Sequence, residues 1–173
     1  MTRTILNALA AFTLAATSLI AGPPLICERI EIGAARSLPW RAVNSWDGTD
    51  PSYKVANLTA DTLKLLQPGL PMNVRMETLR RAALYAAKHD RLSDEVTSRL
   101  LARAADAEAA GKSDALAWFD AGYFVETVRQ AGFIFRYDML SPAERAAWRV
   151  RGDSLALDGK PWIEKAIRLG GKG

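Results

Sequence analysis

The chain has 173 residues, 49% hydrophobic and 24% charged, which is the composition of one globular domain with its own core. Lys and Arg total 23 against 19 acids, a formal charge of +4, with one Cys and one His. Those counts exclude an intramolecular disulfide framework, a zinc site built from Cys and His, and an attached c-type haem; no cofactor and no metal is expected.

In chain order, residues 1–21 differ in kind from the rest. Arg3 is their only charge, and Ile5 to Ala21 is apolar or small. A short basic start followed by such a run reads as a secretory signal peptide, with Ala16-Thr17-Ser18 as a small-x-small cleavage site and Leu19-Ile20-Ala21 as a second. The alternative is an uncleaved N-terminal anchor, although a helix over this run rises only about 25 Å, the lower edge of what a bilayer requires. Cys27 is a poor lipidation site, because Leu25-Ile26 precede it where a small residue is usual. The expectation is an exported protein, periplasmic or extracellular, which touches a membrane only if residues 5–21 stay attached. Arg outnumbers Lys 16 to 7 and Ala is the commonest residue, a bias that suggests a GC-rich bacterial genome.

Residues 22–50 read as an irregular segment packed on a helical domain that spans 51–173. Pro39 bars helix at the residue before it, and Asp47-Gly48 is a turn signal. Helix signals then repeat. Asp50-Pro51 reads as an N-cap with proline at the first helical position, followed by Val55, Leu58, Thr62, Leu65 and Leu66 on one face and a stop at Gln67-Pro68-Gly69. A second helix starts near Pro71, carries Met72, Met76, Leu79, Ala83 and Ala86 inward, and runs out at Lys88-His89-Asp90. Ser93 reads as the cap of a third, with Val96, Leu100, Ala104 and Ala107 inside and Gly111 as a left-handed stop.

Ser113-Asp114 opens a fourth helix, Ala115 to about Ala131, closed at Gly132, with an apolar connector from Phe133 to Leu140. Ser141-Pro142-Ala143-Glu144 is a capping box for a helix ending at Gly152, and a last helix spans Pro161 to Leu169. The fold class is therefore all-α: an irregular bundle of about six helices, or two stacked helical hairpins, with a loop-rich N-terminal segment.

Few residues offer chemistry. Trp118, Asp120 and Tyr123 share the aromatic fourth helix, where Asp120 is either a general acid/base in a pocket or, as the more frequent case, an ion-pair partner for an Arg such as Arg80 or Arg81. Gly122 in the same helix marks close approach of another helix. His89-Asp90 lacks a nucleophile with a recognisable motif and reads as a helix C-terminal feature. Glu28, Glu31, Asp47 and Asp50 are too scattered for a calcium loop. Trp40, Trp46 and Arg36 are either an interface cluster or lids over the core. Cys27 is a candidate for an intermolecular disulfide.

Charges of both signs are interspersed along the chain, which argues against nucleic acid as a partner. No catalytic constellation is present. The expectation is a non-enzymatic protein-interaction or accessory subunit whose partner is another exported or membrane protein. The alternative is a small-molecule binder or enzyme with a pocket around Trp118, Asp120 and Tyr123.

Overall fold

The protein is helical. The computed structural model describes residues 25–41, 46–89, 91–112, 114–136 and 157–171. Among them the helices are α1 (Leu58–Leu65), α2 (Met72–Ala86), α3 (Leu92–Ala109), α4 (Ala115–Arg136) and α5 (Lys160–Gly170), with 3-10 turns at Leu25–Cys27 and Val55–Asn57. No strand occurs among the described residues; a single antiparallel bridge joins Trp40 to Thr49. The proposed signal peptide or anchor, the capping box at Ser141 and the helix ending at Gly152 lie outside the described residues.

Local chemistry sets most helix ends. Pro71 immediately precedes α2, and Gly111 takes φ +70° just beyond α3, where a side chain would be strained. The Asp114 carboxylate accepts from the Ala117 amide at 2.9 Å and so caps α4. Pro161 sits in the first turn of α5.

Four expectations about the helices are corrected. The first helix starts at Leu58 rather than Pro51: Asp50 is held by its amide on the Tyr85 hydroxyl (2.8 Å), and there its Oδ1 accepts from both the amide (2.9 Å) and the hydroxyl (2.8 Å) of Ser52. That closes an Asx turn in place of a helix cap. Ser93 does not cap α3: the helix already includes Leu92, Arg91 takes the flanking position at φ +60°, and Ser93 is buried in the first turn. The fourth helix does not close at Gly132 but continues to Arg136. Its later turns are fastened from outside, since Ala131 is buried and Gln130 Oε1 accepts from the Ile26 amide at 3.2 Å. This anchoring offsets the roughly 1 kcal/mol that glycine costs a helix. Finally, Met72 is 46% exposed, and the inward residues of α2 include Val74, Leu79, Ala82, Ala83 and Ala86.

Helix α4 packs against α2, α3 and α5. Its Ala117, Ala121, Phe124, Val125 and Val128 are buried. The contact with α5 is backbone on backbone. A Cβ at Gly122 would lie 2.7 Å from both the Gly159 carbonyl oxygen and Ile163 Cγ1, and one at Gly159 would strike the Gly122 carbonyl. Glu126 Oε1 adds a hydrogen bond from the Gly159 amide at 2.8 Å, fixing the start of α5 on α4.

Candidate functional site

The helical period places Arg75 and Glu77 about 200° apart around α2, so the two charges face opposite ways. Arg75 faces α4. Its Nη1 donates to Asp120 Oδ2 at 2.6 Å, and its Nη2 donates to the Gln67 carbonyl at 2.7 Å. Both partners of this ion pair are wholly buried. Arg103 of α3 approaches the same carboxylate oxygen at 3.9 Å while donating to the Leu66 carbonyl at 2.9 Å. Asp120 Oδ1 has no hydrogen-bond partner among the described residues. Burial pushes Asp120 up to about 6, against the opposing pull of the Arg75 bond and the Arg103 charge.

Asp120 thus has an arginine partner, but the expected Arg80 or Arg81 is corrected to Arg75. Arg80 and Arg81 turn to the other side of α2, where Glu77 occupies them. Tyr123 stacks on Phe119 with ring centroids 5.5 Å apart, and Trp118 lies under Lys165 Nζ, 3.8 Å from its ring centre. Each of the three residues therefore faces a different neighbour.

The opposite side of α2 holds the N-terminal segment. Glu77 Oε2 accepts from Arg80 Nε (2.7 Å) and from the Ile30 amide (3.1 Å); Oε1 accepts from Arg80 Nη2 (2.9 Å) and Arg81 Nε (2.8 Å). Burial works to raise the pKa of this carboxyl, but the arginine bonds outweigh it and hold the group below its ordinary range. The guanidinium groups then reach outward to backbone carbonyls. Arg80 Nη1 donates to Ile26 at 2.9 Å, and Arg81 Nη1 donates to Leu38 at 2.8 Å. One turn on, the Tyr85 hydroxyl donates to the Pro39 carbonyl (2.6 Å) and accepts from the Asp50 amide (2.8 Å). Ser37 and Thr78 share a hydroxyl hydrogen bond at 2.9 Å.

Sequence reading missed Glu77 altogether. Its spacing to Arg80 and Arg81 (i+3, i+4) is that of a solvated helix face. The available signal was the run that follows, Ala82-Ala83-Leu84-Tyr85, which is too apolar for a helix with a free polar side.

Trp40 and Trp46 pack inward, against a cluster containing Ile26, Leu84, Ala87 and Ala131. Arg80 and Arg81 stand 5.0 and 5.4 Å from the Trp40 ring centre, within cation–π range. Cys27 joins the same cluster as a half-buried free thiol, its pKa raised by burial. His89 is exposed beyond α2, its amide donating to the Ala86 carbonyl. Arg36 lines a different hollow, one that neither tryptophan lines.

That hollow is a groove of about 490 Å³ between the N-terminal segment and α1. Its lining is mostly apolar: Leu38, Pro39, Tyr53, Leu65 and Leu70. Arg36 and Lys64 also line it, both exposed and with no ion pair to any described residue. Asp61, the acid in the groove, accepts from the Tyr53 hydroxyl at 2.8 Å. A second hollow of about 500 Å³ lies between α1 and α3, lined by Leu63, Arg99 and Arg103 among others. Neither hollow is lined by Trp118, Asp120 or Tyr123.

Among the described residues no three His, Cys, Asp or Glu side chains group as a metal site, and no helix is long and apolar enough to cross a membrane. Compared with known proteins, the chain matches no protein family, no curated protein sequence and no solved structure.

Proposed function

We propose that this chain is an exported, non-enzymatic bacterial protein, an irregular helical bundle that serves as a protein-interaction or accessory subunit and binds another exported or membrane protein. The observation that carries the reading is the groove beside α1. It is concave, mostly apolar, and lined also by two cations without partners among the described residues. Apolar surface that a folded chain leaves open in a rimmed hollow is a characteristic of interaction sites. The interior charges offer a different kind of support. Glu77, Arg80, Arg75 and Asp120 bond to one another and to backbone carbonyls, roles that hold elements together.

The test is photo-crosslinking in the native host, with a benzophenone amino acid at Arg36 or Lys64, and at Ala105 and Glu164 as exposed controls on α3 and α5. A defined adduct from the two groove positions alone is expected. Adducts of equal yield from all four positions, or none from the groove, would remove the basis of the reading. Export is tested by intact mass after osmotic shock. A soluble species starting near Leu19 or Gly22 is expected, whereas a full-length species in membranes would make residues 5–21 an anchor.

A further inference from the structure

The chemistry of the groove narrows the partner further. We propose that it takes a short, open stretch of the partner's chain in which an Asp or Glu carboxylate stands beside apolar side chains. This inference rests on the accessory-subunit reading and adds a recognition chemistry to it.

Three observations carry the inference. The first is charge. Arg36 and Lys64 are exposed lining residues that form no ion pair with a described residue, and they outnumber the one acid of the lining, Asp61, which accepts the Tyr53 hydroxyl hydrogen bond. An incoming carboxylate therefore meets two cations that lose no existing partner, and opposite charge across an interface selects the partner and speeds encounter. The second is the apolar lining of Tyr53, Leu65 and Leu70, half-buried side chains whose remaining surface a purely ionic ligand would leave wet. The third is rigidity. The wall formed by residues 37–39 is bonded to α2 by the Ser37–Thr78, Arg81–Leu38 and Tyr85–Pro39 contacts, so the groove exists before the ligand arrives. A preformed wall lowers the ordering cost of binding. The hollow is open to solvent and not an enclosed cavity, so a segment of another chain can enter it.

The test is a random heptapeptide display library panned against the full chain and, in parallel, against a variant carrying Arg36→Glu and Lys64→Glu. Both substitutions are at exposed positions, and unchanged circular dichroism and melting temperature establish that the variant is folded; Arg36→Gln with Lys64→Gln is the milder second pair. The expected result is a consensus with an acid flanked by apolar residues, whose synthetic peptide binds the charge-reversed variant at least about tenfold more weakly, a difference of about 1.4 kcal/mol. A neutral or basic consensus, no consensus, or equal binding to the variant overturns the proposal. So does a concentration-dependent dimer of the wild type that charge reversal abolishes, since the groove would then hold a second copy. A groove-specific crosslinked partner together with a neutral consensus would overturn the acid recognition alone and leave the accessory reading standing.

Discussion

The two faces of α2 bury one carboxylate each, and the two carboxylates behave oppositely. On the side of the N-terminal segment, Glu77 accepts four hydrogen bonds, two on each oxygen, and is held below its ordinary range. On the α4 side, Asp120 receives a shorter and equally buried arginine bond at 2.6 Å, yet burial raises it. Both have arginines for neighbours, so the sign of the partner's charge does not separate them. The difference lies in completeness. One oxygen of Asp120 is unpartnered among the described residues, and a buried polar atom without a bond carries its full desolvation cost. A single strong ion pair does not replace the several bonds that water supplied.

The largest expected effect comes from breaking the complete site. Glu77→Gln removes the charge that Arg80 and Arg81 share and leaves Arg80 buried with an amide in place of a carboxylate. Loss of one partner from a buried ion pair costs about 3–5 kcal/mol. Chemical denaturation should show a loss in that range, accompanied by proteolytic nicking in residues 25–50 as the segment detaches. A loss below about 1 kcal/mol would mean that the arginines hold the segment without the carboxylate.

The next effect tests a contact set by close backbone approach and not by buried charge. Gly122→Leu places a side chain where even a Cβ lies 2.7 Å from the Gly159 carbonyl oxygen. Overpacking of this kind costs about 1–3 kcal/mol, and here the obstacle is backbone, which yields less than a side chain. A melting temperature lowered by several degrees is expected, and an unchanged one would contradict the close approach of α4 and α5. Tyr85→Phe is smaller again. It strands the Pro39 carbonyl and the Asp50 amide for a loss of about 1–2 kcal/mol, measurable by denaturant titration.

What was legible in the sequence divides along the same line as these contacts. The start of α2 at Pro71, the stop at Gly111, the cap at Asp114 and the α5 start depend on residues within one turn of each other, and all four were readable. The Gly122 contact was readable too, because glycine inside a helix has few other uses. The start of α1 was not: Asp50 bonds Ser52 equally well in a turn or a cap, and only the docking of Asp50 on Tyr85, 35 residues away, decides between them. The Asp120 pair was readable in kind but not in partner, since Arg75, Arg80 and Arg81 are alike in composition and differ only in which way α2 turns them. The groove depends wholly on tertiary structure. Arg36 was singled out for its neighbours Trp40 and Trp46, yet its relevant neighbour is Lys64 on α1.

The smallest effect has a reversed sign, and it is the sharpest test of the contrast between the two carboxylates. Asp120 has a folded value of about 6 against 3.8 for the ordinary carboxyl, so between those values the folded chain binds the proton more tightly than the unfolded chain does. Its contribution to stability is therefore present in full below pH 3.8 and is lost as pH rises through about 6. Glu77 runs the other way: its contribution is present above the ordinary value of 4.5 and is lost as pH falls through its lowered folded value. Asp120→Asn keeps an oxygen for Arg75 and removes the charge that burial opposes. The variant should melt at the same temperature as wild type below pH 3.8, and above it once pH has passed about 6. Its curve should also lack the decline that wild type shows between pH 3.8 and about 6. A wild-type melting temperature flat from pH 5 to 7.5, together with an Asn variant destabilised throughout, would mean that Arg75 and Arg103 keep Asp120 ionised. The unpartnered oxygen would then cost less than the ion pair contributes, and the two faces of α2 would follow one rule instead of two.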